Sequence, residues 1–169
     1  GTTWDTSLSF NSSLVPFYCN GVDFVDDNTG WVVGGLPGIG GNTKIFKTTN
    51  AGVNWVEQTS AYSGPIAVRV EMVDANTGYI SGAGQFQKTT DGGTTWDVLP
   101  AGTFPLNSVF FTGSDKGYIA GGFCNETGCS GEILKTSDGG MTWFAQNIPP
   151  NTETLNSVCF TDANTGYVA

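Results

Sequence analysis

One octet recurs along this chain and sets its period. Thr89-Thr90-Asp91-Gly92-Gly93-Thr94-Thr95-Trp96 returns as Thr48-Thr49-Asn50-Ala51-Gly52-Val53-Asn54-Trp55 and as Thr136-Ser137-Asp138-Gly139-Gly140-Met141-Thr142-Trp143, and Gly1-Thr2-Thr3-Trp4 repeats its second half. The octet reads as a hairpin turn. Its aspartate can accept backbone N–H groups two or three residues ahead, its glycines tolerate positive φ, and the residues up to the tryptophan resume an extended strand. The tryptophan then supplies a large apolar plate that fastens the turn to its neighbours. On this reading Asn50, Trp55, Asp91, Gly93, Trp96, Asp138, Gly140 and Trp143 are scaffold, with Asn50 in the weakest copy.

A second phrase alternates with the octet: Asp26-Asp27-Asn28-Thr29-Gly30-Trp31, Asp74-Ala75-Asn76-Thr77-Gly78-Tyr79, Gly113-Ser114-Asp115-Lys116-Gly117-Tyr118 and Asp162-Ala163-Asn164-Thr165-Gly166-Tyr167. It is another tight turn followed by a strand. Each repeat therefore holds four short strands, two on either side of this turn and two on either side of the octet, which is one antiparallel blade of a β-propeller. The closing aromatics lie 48, 39 and 49 residues apart, within the range of blade repeats. The expected fold is all-β: a single propeller domain over residues 1–169, with repeats near 10–60, 61–100 and 101–148, a half-blade at 154–169 and an N-terminal strand at 1–9. That count leaves about three complete blades and parts of a fourth.

Composition agrees with this class and removes several functions. The chain has 25 glycines among 169 residues and only 12% charged residues, which suits short strands joined by tight turns. Its net charge of −9 repels phosphate backbones, so nucleic acid is not an expected partner. It has no apolar run long enough for a transmembrane segment. Histidine is absent, which takes away the commonest general base and most catalytic zinc geometries. No dedicated metal site and no cofactor is expected.

The spacing from Lys47 to Trp55, Lys88 to Trp96 and Lys135 to Trp143 is always eight, so the hairpin between strands three and four is constant. Connections between strands two and three vary freely in length. In an up-and-down blade the two kinds of connection lie at opposite ends. The end built from Leu36–Asn42, Phe123–Ser130, Ala61–Pro65, Phe104–Leu106 and Pro149–Thr152 is thus the expected binding face, because function concentrates on variable loops carried by a rigid frame. Tyr62, Phe104 and Phe123 on those loops could stack on a ligand's rings. The lysines of the constant hairpins read as solvated strand ends. Cys124 and Cys129 enclose a four-residue spacer that a disulfide could staple, while Cys19 and Cys159 are left unpaired.

Residues able to do chemistry are few. Most aspartates are consumed by turns, which leaves Asp23 and Glu71, each eight residues before the blade aromatic on the first strand of adjacent repeats. They are the weak catalytic candidates, since glycoside hydrolysis needs only two carboxylates at the right separation. A channel-edge pair of solvated acids is the plainer alternative. Asn11-Ser12-Ser13 and Asn125-Glu126-Thr127 match the glycosylation sequon, which matters only in a eukaryotic secretory host.

These motifs carry a resemblance. The octet resembles the Asp-box (BNR-like) repeat, Ser/Thr-x-Asp-x-Gly-x-Thr-Trp, of sialidases, sortilin-type receptors and xyloglucanases. Combined with Val22-Asp23-Phe24…Gly30-Trp31…Gly34 and its counterparts starting at Val70, Val109 and Val158, it is most similar to the photosystem II assembly and stability factor repeat. The resemblance implies a propeller. Sialidase activity would need several arginines for the substrate carboxylate, and Arg69 is the only one. Members acting in photosystem assembly are associated with a basic surface, which this chain lacks. The reading is a non-enzymatic interaction or scaffold module for a protein or carbohydrate ligand, in an extracellular or periplasmic setting. Part of a carbohydrate-active enzyme is the alternative. A fourth blade lacking its third strand would leave open edges, so a slice of a longer propeller, two copies forming a homodimer, or closure by the N-terminal strand could cover them.

Overall fold

A computed structural model of the protein describes residues 18–35, 43–61, 66–102, 104–126 and 128–169. The strand expected at 1–9, the half-octet Gly1–Trp4, the sequon at Asn11, the Leu36–Asn42 loop, Tyr62 and Thr127 lie outside them. Fourteen strands are described, and they fall into three four-stranded antiparallel sheets and one two-stranded sheet. The first sheet is β1 (Tyr18–Phe24), β2 (Gly30–Gly35), β3 (Thr43–Thr48) and β4 (Val56–Gln58). The second is β5 (Ala67–Met72), β6 (Gly78–Gly82), β7 (Gln85–Thr89) and β8 (Asp97–Val98). The third is β9 (Leu106–Phe111), β10 (Gly117–Asn125), β11 (Gly128–Thr136) and β12 (Phe144–Ala145). In each, spatial order follows sequence order, the meander of a propeller blade. The last sheet pairs β13 (Val158–Phe160) with β14 (Gly166–Val168).

The first strands of successive sheets touch one another, β1 against β5 and β5 against β9, so they form the inner edge, while the short fourth strands are exposed outside. The core lies between blades. One cluster joins Trp31, Val33 and Ile45 of the first sheet to Val70, Met72, Ile80 and Trp96 of the second. Another joins Tyr79 and Phe86 of the second to Leu106, Val109, Phe111 and Ile119 of the third.

The octet turns as its glycines require: Gly92 and Gly93 have φ of 68° and 89°, and Gly139 and Gly140 have 67° and 86°. Its hydrogen bonding reaches further than expected, for besides the amide three residues ahead the aspartate takes the amide and hydroxyl four ahead. Asp91 Oδ1 accepts from Thr95 N, four residues ahead, at 2.9 Å, and Oδ2 accepts from the Thr95 hydroxyl at 2.7 Å. The near amide belongs to the first threonine: Gly93 N donates to Thr89 Oγ1 at 2.8 Å, and Thr89 Oγ1 donates to Asp91 Oδ1 at 2.9 Å. Asn50 and Thr48 reproduce the arrangement in the first copy, as Asp138 and Thr136 do in the third. Thr89 is buried, so Thr89→Val strands an amide and should cost about 1–3 kcal/mol in a urea titration. Asp91→Asn should cost less, because Asn50 already serves the first turn. Equal midpoints for Thr89→Val and the parent would show that the hydroxyl does not organise the turn.

The second phrase uses its carboxylates the same way. Asp26 and Asp74 Oδ1 each accept from the amides two and three residues on, at 2.7–2.8 Å, and these bonds hold both carboxyls below their usual range. The two turn types meet at one end of each blade: Ala51 N donates to Asn28 O, Gly92 N to Asn76 O and Gly139 N to Asp115 O.

Two of the three hairpin lysines, Lys47 and Lys88, correct the sequence reading, for they do not end in solvent. Lys47 Nζ donates to Gly92 O at 2.8 Å and stands 4.7 Å from the centre of the Trp31 ring. Lys88 Nζ donates to Gly139 O at 2.9 Å above Tyr79, whose hydroxyl donates to the same carbonyl at 3.1 Å. Each of these lysines therefore clamps the octet of the following blade, a cation over an aromatic face with a carbonyl completing its shell.

Candidate functional site

The end opposite the octets carries the β6–β7 turn, the β10–β11 hairpin and the crossovers at Pro105 and Thr152. The β6–β7 turn is minimal, with Gly84 at φ 72°, and Ala83 bridges Pro105 of the next crossover. In the third sheet, strands β10 and β11 run on to form a longer hairpin. Gly122 N donates to Pro105 O at its base and Gly131 N donates to Thr152 O, so one crossover holds each side. The fit is close: a Cβ on Gly121 would lie 2.1 Å from Pro105 O, and one on Gly131 would lie 2.2 Å from Glu153 O. These approaches explain two glycines that turn propensity alone would not demand.

Near the tip, Cys124 pairs directly with Cys129 across the hairpin, and a disulfide joins them. Phe123, beside the bridge, is 48% exposed, a large apolar side chain on a cross-linked rib. Phe104 is placed differently. It is half-buried and packs against the core cluster between the second and third sheets, with its ring close to Gly102 and Gly121. Tyr62 is outside the described residues. Of the three aromatics singled out from the sequence, Phe123 is the one the structure displays.

Asp23 and Glu71 occupy equivalent places on the inner strands, opposite Trp31 and Tyr79. They are committed to the backbone of the next blade. Asp23 Oδ2 accepts from Met72 N at 2.6 Å, and the Glu71 carboxylate accepts from the amide of Phe111. Glu71 also lies 3.6 Å from Arg69, with its side chain only 15% exposed. Burial pushes its carboxyl up to about 7, helped by the charge of Asp23 and opposed by Arg69. Desolvation therefore outweighs the ion pair. Phe110 stands at the same position in the third blade and stacks on Phe160 at 5.8 Å, an apolar version of the same junction. The sequence put these residues in register but could not show the amides that they receive.

The tryptophans of the octets differ in burial although their motif is shared. Trp96 is 2% exposed and fills the space between the first and second blades, whereas Trp143 is half-buried against Phe86 and Phe111. Trp55 rests on Phe24, edge to face at 6.2 Å. Position in the array decides the outcome: Trp96 and Trp143 reach the preceding blade, at Trp31 and Phe86, whereas Trp55 meets Phe24 of its own sheet. Among the described residues no cluster of His, Cys, Asp and Glu is arranged to hold a metal ion, and no helix is long and apolar enough to cross a membrane.

No protein-family model matches the sequence, and no curated protein matches it. Solved structures do. A structure of YCF48 bound to a D1 peptide aligns with 78% of the chain at 23% identity and a TM-score of 0.55, and YCF48 from Cyanidioschyzon merolae aligns with 94% at 15% identity and 0.66. An ancestral GH74 enzyme aligns with 91% at 18% identity and 0.70. The chain spans 42%, 49% and 22% of the lengths of these three structures, respectively. At such identities the likeness speaks to architecture, and it agrees with the strand order: the chain has an all-β propeller fold built of four-stranded antiparallel blades, like that of YCF48 and the GH74 enzymes.

Proposed function

We propose that this chain is a non-enzymatic binding module, an Asp-box propeller segment of a secreted or periplasmic protein, which holds a polypeptide or glycan ligand on its variable-loop end. The observation that carries this reading is the β10–β11 hairpin, whose disulfide and flanking crossovers fix an exposed Phe123 in place. A rigid aromatic anchor loses little conformational entropy on binding, which is the usual make-up of an interaction hot spot. Glu126, Glu132 and Glu153 lie on or beside the same hairpin and suit a ligand with basic groups. A YCF48 structure holds a D1 peptide, which supports a polypeptide ligand on this architecture.

The second reading, a portion of a carbohydrate-active enzyme, draws on the GH74 likeness and on the raised carboxyl of Glu71 near Asp23. It is the weaker, because both carboxylates already accept amides from neighbouring blades. Selection of ligands from displayed peptides and immobilised glycans tests the first reading. Phe123→Ala should weaken a selected ligand about tenfold or more without shifting the melting midpoint, the expected loss at a hot spot. Undiminished binding by that variant would remove the loop end from the account.

A further inference from the structure

The first octet departs from its two copies in a way that changes the surface around it. Asp91 and Asp138 each take both the amide four residues ahead and the hydroxyl of the threonine there. In the first copy Asn50 Oδ1 accepts the amide of Asn54 and the hydroxyl of Thr48, and the Asn54 side chain makes no return bond. Among the described residues, neither Nδ2 of Asn50 nor the side-chain amide of Asn54 has a hydrogen-bond partner. Two carboxamides are thus left over from a turn that is otherwise complete.

Both residues line one cleft. It measures about 300 Å³, lies between the first two blades, and is bounded by Val56 and Gln58 of β4 and by Thr94 of the second octet. Lys47 lines it too: its Nζ donates to Gly92 O over the Trp31 ring, and an ammonium with three donors keeps capacity for a further acceptor. Among the described residues no carboxylate lines the cleft. Glu57, between Val56 and Gln58, is paired with Lys44. The second blade holds Asp91 and Asp97 where the first has Asn50 and Val56, since Lys88 faces Asp97 as Lys47 faces Val56. On a chain of net charge −9, one ammonium among three carboxamides is a local reversal of charge.

We propose that this cleft is a binding site for an acidic sugar, a uronate unit whose carboxylate meets Lys47 and whose hydroxyls bond Asn50, Asn54 and Gln58. Carboxamides both donate and accept, which matches ring hydroxyls, while the ammonium selects the carboxylate. The volume is at the small end for a ligand site, which suits a single sugar unit. The cleft is formed by the octets of the first two blades, whereas Phe123 belongs to the third, so the proposal does not rest on the loop-end reading above.

Trigalacturonate titrated into the isotope-labelled whole chain, with side-chain amide resonances followed by NMR, tests the proposal. Saturable shifts are expected at Asn50, Asn54 and Gln58. Asn50→Asp is the sharpest variant, because Asp91 and Asp138 serve the same turn in the other copies. It should keep the melting midpoint and weaken binding about tenfold, the effect of one like charge close to a partly exposed site. Gln58→Ala should weaken binding about threefold, the size of one neutral hydrogen bond. Galactotriose, which lacks the carboxylates, and sodium acetate, which lacks the ring, should each bind less tightly than the acidic trimer. Absence of saturable shifts at these amides would overturn the proposal, as would equal affinity for the parent and Asn50→Asp. Equal affinity for galactotriose would make this a neutral-sugar cleft and equal affinity for acetate a plain anion site, and either result would overturn the assignment.

Discussion

Trp96→Ala should lower stability by about 3–5 kcal/mol, near the upper end for loss of a buried aromatic side chain. Trp96 is 2% exposed and packs with Trp31, Ile45, Val70 and Ile80, so its removal opens a cavity between two blades that local collapse cannot fill without shifting a sheet. In a chain of this size the loss corresponds to a fall of about 6–20 °C in melting midpoint. Trp55→Ala should cost distinctly less, because Trp55 is only half-buried. Trp96 Nε1 is buried without a hydrogen-bond partner, so Trp96→Phe removes an unsatisfied donor together with some area and should be tolerated far better than alanine. A loss below about 1 kcal/mol for Trp96→Ala would mean that the octet plate does not join the blades.

Glu71 should make the protein less stable as pH rises from about 5 to 7. Its carboxyl ordinarily titrates at 4.5 and is pushed up to about 7, chiefly by burial, so between those values the folded chain binds a proton that the unfolded chain has released. The contribution is fully present below 4.5 and is lost as pH passes through 7, on the order of 3 kcal/mol in all. Asp26, Asp74, Asp91, Asp138 and Asp162 act oppositely: their carboxyls are held down by turn hydrogen bonds, so their contribution is present above 3.8 and lost on acidification. The parent should therefore be most stable near pH 5, and Glu71→Gln should abolish much of the decline above it. Urea midpoints at pH 5 and pH 8 for both proteins read this out, and parallel pH profiles would contradict it.

Much of the architecture could be read because propeller repeats write their turns in short, local phrases. The octet, the Asp-x-Asn-Thr-Gly turn and the eight-residue lysine-to-tryptophan spacing depend on neighbours a few positions away, so the blades could be drawn from the sequence. Contacts between blades could not. Lys47 and Lys88 looked like solvated strand ends because their partners, Gly92 and Gly139, are 45 and 51 residues distant. Phe104 lies on a loop in sequence and against the core in space, and nothing local distinguishes the two. Asp23 and Glu71 shared a register position that signalled a common role, but the role was set by Met72 N and the Phe111 amide, backbone groups that carry no residue-type signal. Thr89 was overlooked as an acceptor because threonine is unremarkable in a strand, and only its closeness to the Gly93 amide reveals its function.

The inner-strand carboxylates Asp23 and Glu71 accept amides of the next blade, and the proposed non-enzymatic reading gives them no part in hydrolysis. Its most direct test is reducing-end release from a panel of polysaccharides by the parent chain and by the Asp23→Asn, Glu71→Gln double variant. The account predicts no product above buffer from either protein. Product from the parent that disappears in a double variant still folded by circular dichroism would contradict it and make these two residues a catalytic pair.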